Sequence, residues 1–154
     1  MFAASLTHFR CADGAPAEEV FRRIGVQAQG PLNRPPGVAR WVLRQGGQVI
    51  EMPELPGARV SLPACGGPAC AAWVVELVPT SDAAERLDDG TTEALGASFF
   101  VTVGSANRPR DVAAPGETRA LTTRWTLDAP EGEVWVVLRD QRGGETVRGA
   151  RVGR

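Results

Sequence analysis

Lysine and tyrosine are absent from this 154-residue chain, histidine occurs once, and isoleucine and asparagine occur twice each. All 17 basic residues are therefore arginine. The missing residues have AT-rich codons and the abundant Ala, Gly, Pro, Arg and Val have GC-rich ones. The bias points to a GC-rich bacterial gene rather than to guanidinium chemistry. There is no HExxH, no P-loop and no GxGxxG following a strand, which removes the best-defined metal and nucleotide signatures. The single histidine, His8, lies near the N-terminus, a poor foundation for a Ser-His-Asp or Cys-His pair. Net charge is −1 with no block of like charge, so the concentrated positive field of a nucleic-acid or polybasic membrane partner is missing. No run approaches the ~18 consecutive apolar residues of a transmembrane helix. In "MFAASLTHFRC", His8 and Arg10 interrupt the only short apolar stretch before Cys11, so it does not read as a signal peptide.

What is present describes a globular β protein. Hydrophobic residues make up 43% and charged residues 23%, with 18 glycines and 12 prolines leaving little room for long helices. The length suits one ordinary domain or two small ones. Short Val- and Trp-rich runs separated by Gly, Pro and Asp predict strands over 38–45, 48–53, 58–64, 71–79, 96–104, 118–127, 133–140 and 145–152. Two segments have some helical character: 15–26, where a strand over 20–28 competes, and 80–89. "RWVL" and "WVVEL" in the first half echo "RWTL" and "WVVLR" in the second. The expected fold class is all-β, an antiparallel β-sandwich. Its organisation is either two modules, 1–79 and 80–154, or one continuous β-sandwich domain.

The stretch "GEVWVVLRDQRGGETVRGARV" carries the strongest local signal. Val134, Val136 and Leu138 alternate with Trp135, Val137 and Arg139, so the two sets are expected on opposite faces of the strand. "DQRGG" supplies the turn: Gly143 or Gly144 is expected at positive φ, and Asp140 is placed to accept hydrogen bonds from the turn amides. With the preceding "TRWTLDAPEG", the segment reads as a three-stranded meander.

"RWTLDAPEGEVWVVLRDQRGG" and "EALGASFFVTVGS" resemble bacterial immunoglobulin-like repeats of the PKD or cadherin-like type, over roughly residues 93–152. The resemblance implies an immunoglobulin-like sandwich and a structural role for Asp140, Gly143 and Gly144. It also implies a protein exported from the cytoplasm.

Candidate chemistry is sparse. "CGGPAC" brings Cys65 and Cys70 to the ends of a tight loop, which in an oxidising compartment favours a disulfide. Free thiols are one alternative; a Cys₃His zinc site of His8, Cys11, Cys65 and Cys70 is another. Five carboxylates crowd residues 81–93, but without DxDxDG spacing. Trp41, Trp73, Trp125 and Trp135 lie among aliphatic residues and are expected in the core, an exposed sugar-stacking platform being the rival reading. No cofactor and no catalytic residue is expected.

These features predict a non-catalytic structural or adhesive module of a bacterial exported or surface protein, with a protein or glycan partner and no nucleic acid. Its place would be periplasmic, outer-membrane-associated or extracellular, with an export signal already removed upstream. The alternatives are a subunit of a multiprotein cell-envelope assembly, pairing through edge strands, and a small metal- or thiol-dependent enzyme or accessory domain built on His8, Cys11, Cys65 and Cys70.

Overall fold

A computed structural model describes residues 2–8, 19–25, 33–54, 57–63 and 72–153, the first two segments by their backbone. Two compact units result, Met1–Asn33 and Arg34–Arg154. In the first, β1 (Phe2–His8) pairs antiparallel with β2 (Glu19–Gly25), from Phe2↔Gly25 to His8↔Glu19. Residues 19–25, expected as helix or strand, are thus strand; Val20 and Ile24, two of the positions read at helical spacing, occupy ladder positions opposite Thr7 and Ala3.

Among the described residues, the second unit holds ten strands in two five-stranded sheets that form a β-sandwich. β3 (Val38–Gln45), β4 (Gln48–Glu51), β6 (Ala72–Pro79), β8 (Ser105–Ala106) and β10 (Leu121–Thr126) make one sheet, in the order β4-β3-β6-β10-β8. β5 (Ala58–Ser61), β7 (Leu95–Val101), β9 (Arg110–Ala113), β11 (Glu131–Arg139) and β12 (Glu145–Gly153) make the other, in the order β5-β12-β11-β7-β9. All pairs are antiparallel except β5 with β12. Every connection from β4 to β11 changes sheet; the β3–β4 and β11–β12 hairpins alone stay within one. Residues 80–89, the second helical candidate, are turns closed by an Arg86↔Thr92 bridge.

Period-two burial builds the core between the sheets. Trp73, Val75 and Leu77 of β6, Leu121 and Trp125 of β10, and Val134, Val136 and Leu138 of β11 are all buried in one cluster. Of the two alternating sets of β11, that of Val134, Val136 and Leu138 is the one that packs inward. Trp41 and Trp125 enter the same core, and each indole N–H reaches a backbone carbonyl, of Pro53 at 2.8 Å and Val103 at 2.9 Å. An indole body is thereby buried without leaving its donor unpaired.

Two organisational readings meet these sheets. The segment from β10 to β12 is not a meander: β10 pairs with β6 and β8, whereas β11 pairs with β12 and β7. "TLDAPEG" is a crossover between sheets, because Trp125 and Leu127 are buried and Pro130 cannot extend a ladder. Strands on either side of residue 79 also share both sheets, through β6 with β10 and β5 with β12. A boundary at 79/80 would sever both. The echoed "RWVL" and "RWTL" segments lie in one sheet, each paired with β6.

Candidate functional site

The "DQRGG" stretch is the turn of the β11–β12 hairpin. Asp140 Oδ1 accepts hydrogen bonds from the Arg142 amide at 2.9 Å and the Gly144 amide at 2.7 Å, while the Asp140 amide donates to the Gly144 carbonyl at 3.1 Å. Gly143 is the residue at positive φ, 91°, where a side chain is strained. What the sequence did not reveal is Arg142 between them. Its Nε donates to Glu93 Oε1 at 2.6 Å and its Nη2 pairs with Glu85. Glu93 is 1% exposed, and its other oxygen accepts the Glu85 amide at 3.0 Å. The guanidinium stays charged even more firmly than usual, chiefly through its hydrogen bond to Glu93 and next through that to Glu85. Two of the five carboxylates in 81–93 therefore serve to latch this loop onto the hairpin. Asp89 in the same loop accepts both the amide and hydroxyl of Thr91, which lowers its pKa. Among the described residues, no group of three or more His, Cys, Asp or Glu could hold a metal ion. Cys11, Cys65 and Cys70 lie outside the described residues, as does the side chain of His8.

One margin of the sandwich is sealed by side chains. Asn107 acts as a stand-in strand for β10: its amide donates to the Arg124 carbonyl at 2.9 Å and its Oδ1 accepts the Arg124 amide at 2.9 Å. Asp111, 6% exposed, takes the Thr122 amide at 2.9 Å and holds Arg119 through both oxygens at 2.7 and 2.8 Å. Arg119 in turn donates to the Val112 carbonyl at 2.6 Å, and the Val112 amide donates to Asp111 at 3.0 Å. The outward amides of Val112, Thr122 and Arg124 and the carbonyls of Val112 and Arg124 are thus occupied within the chain, which blunts this edge against an added strand. The Arg119 guanidinium, aided by the Thr122 and Val112 amides, holds the Asp111 carboxyl down at about 2.

The outer faces of the two sheets differ. On the β4-β3-β6-β10-β8 sheet, Val42 lies between Arg40 and Arg44 along β3 and opposite Glu51 and Glu76 across it. Arg44 grips Glu76 bidentately at 2.8 and 2.9 Å, Arg40 pairs with Glu51, and Val42 is 0% exposed.

On the β5-β12-β11-β7-β9 sheet the central positions are bare. Trp135 stands opposite Gly149 of β12 and Phe100 of β7. A Cβ on Gly149 would fall inside the Trp135 ring, so the indole lies flat against the β12 backbone. Its N–H reaches Glu133 Oε2 at 3.2 Å. Phe100 is 54% exposed, and Val112 and Val147 on the same face are 46% and 42% exposed. Val137, opposite Val147, completes with Trp135 and Phe100 an apolar stripe across β12, β11 and β7. Beside it, Gly96, Ser98, Arg110, Val112, Arg139 and Asp140 line a cavity of about 340 Å³. Arg59 with Glu131, Arg151 with Glu133 at 2.8 Å and Arg139 with Glu145 at 2.8 Å form a charged rim.

Of the four tryptophans, Trp41, Trp73 and Trp125 are core, as the sequence suggested, and Trp135 is half-buried on the outer face. This apolar stripe, at the centre of a sheet with a polar rim, is the candidate site. Comparison with protein-family models, curated proteins and solved structures returned no match. No described helix is long and apolar enough to cross a membrane.

Proposed function

We propose that this chain is a non-catalytic, immunoglobulin-like interaction module of a bacterial exported or surface protein. Its role is structural or adhesive, and it docks a protein through the outer face of the β5-β12-β11-β7-β9 sheet. The observation that carries this reading is the Phe100–Trp135–Val137–Val147 stripe. An apolar, aromatic centre within a ring of charged pairs matches the anatomy of a protein interface. The valines favour a protein over a glycan, because a sugar-binding platform needs hydrogen-bonding groups beside the ring. Here the nearby Ser98, Thr102 and Glu133 side chains already bond within the sheet. A subunit of a cell-envelope assembly would dock through the same apolar face.

The rival is a metal- or thiol-dependent protein built on His8, Cys11, Cys65 and Cys70. Metal analysis with thiol titration and intact-mass measurement, on protein from an oxidising compartment, separates the two. The interaction module is expected to carry a Cys65–Cys70 disulfide, one titratable thiol and no zinc. Stoichiometric zinc with three reduced thiols would overturn the reading and its exported location together.

A further inference from the structure

We infer that the partner on the β5-β12-β11-β7-β9 face is a second copy of this chain, packed sheet to sheet about a two-fold axis. The inference rests on the interaction-module reading and names its occupant. Three observations select a second copy.

The first is charge. The face and its rim carry four arginines, Arg59, Arg110, Arg139 and Arg151, and four carboxylates, Glu131, Glu133, Asp140 and Glu145. Six of the eight are paired within the face as Arg59–Glu131, Arg151–Glu133 and Arg139–Glu145. A face with one dominant sign would repel its own copy across a two-fold axis and attract an opposite partner. A balanced face does neither, so it discriminates by shape and apolar contact, which a copy of itself supplies.

The second is area. The five strands hold 33 residues, which at ~4.8 Å between strands and ~3.4 Å along them give a footprint on the order of 540 Å² per copy. Doubled, this is about 1,100 Å², just above the ~1,000 Å² that a specific interface has to clear. Such a surface supports a reversible dimer rather than an obligate one.

The third is geometry. Aligned packing of two sheets requires flat faces about 10 Å apart with alternate side chains interdigitating. Trp135, lying flat over Gly149, leaves a shallow floor, and Phe100 and Val147 rise on either side of it as exposed ridges. A two-fold axis near Trp135 sets ridge against floor in both copies.

The experiment is sedimentation velocity of the full chain from about 5 to 500 μM, the range in which an interface of this size associates. The wild-type chain is expected to convert from monomer to dimer across that range, with quenching of Trp135 by acrylamide falling in parallel. Phe100→Glu and Val147→Glu each place an unpaired carboxylate in the apolar centre and are expected to abolish dimer. Val74→Glu, on the outer face of the other sheet, is expected to leave dimerisation unchanged. Phe100→Ser, which adds no charge, should weaken the dimer at least tenfold and guards against a misfolded Glu variant, with a thermal melt confirming folding. A wild-type chain that stays monomeric at the highest concentration overturns the inference. So does a dimer indifferent to Phe100 and Val147. Either result leaves a foreign protein partner open, whereas stoichiometric zinc would remove the interaction module itself.

Discussion

The two outer faces of the sandwich are built from the same residue types laid out differently. On one, Arg40–Glu51 and Arg44–Glu76 cross the middle of the sheet, and their aliphatic stems cover Val42 completely. On the other, three Arg–Glu pairs stand at the ends of the strands, and the middle is left to Phe100, Trp135, Val137 and Val147. Exposed ion pairs of either kind contribute little stability, about 0–1 kcal/mol each. Their placement decides instead which apolar surface meets water. The two faces therefore differ chiefly in where the pairs sit: two lie beside Val42 on one sheet and three at the strand ends of the other.

The sharpest way to break this contrast is Gly149→Val. The new side chain occupies the space of the Trp135 ring and forces it off the sheet. Overpacking of this kind costs up to about 3 kcal/mol. A denaturant melt reports the loss, and a red-shifted emission from Trp135 identifies its cause; unchanged values for both would mean the indole does not need the glycine.

Next comes the margin where the two sheets meet. Asp111 sits at about 2 in the folded chain, against roughly 3.9 unfolded. Because the folded value is the lower one, its contribution is present above pH ~4 and is lost as the pH falls towards 2. The difference is worth about 2 kcal/mol. Asp111→Asn should be less stable by roughly that amount at pH 7 and should show a flatter stability profile between pH 4 and 2. Parallel profiles for the two chains would dismiss the linkage.

The last pair compares the faces directly. Val42→Ala, beneath the ion pairs, should cost about 1.5 kcal/mol, since it removes two buried methyl groups and leaves a small cavity. Phe100→Ala removes a larger side chain from a position 54% exposed. In the monomer it should cost only a few tenths of a kcal/mol. Chemical denaturation at low protein concentration tests the ranking. If Phe100→Ala proved the more damaging, the aromatic stripe would be structural.

Strands and core-facing positions were legible because both depend on short-range alternation, as in "AWVVELVP" and "EVWVVLR". β8 and β9 were missed. They lie in "GSANRPRDVAAPG", whose Gly, Asn and Pro read as loop, yet Asn107 and Asp111 supply the hydrogen bonds that a longer strand would have made. The supposed meander failed for a related reason, since nothing local marks a turn that crosses between sheets. Nothing local marks Glu93 or Asp111 for burial, which depends on Arg142 and Arg119 reaching them. The outer-face site was half legible. Alternation set Trp135 and Val137 on one face of the strand, but Trp135 was expected in the core with the other tryptophans, and nothing local brought Phe100 and Val147 beside it.

β12 has a neighbour on each side, nine antiparallel positions with β11 and four parallel ones with β5. A pull along its axis, as when one module transmits load to the next, stretches both ladders in shear. The bonds then share the load and yield together, instead of opening one after another as in a peeled hairpin. Gly149, facing Trp135, lies within that clamped strand. β12 is thereby both the floor beneath Trp135 and the strand held by two ladders, so tension along it would be borne by the same ladders that keep the proposed docking face flat.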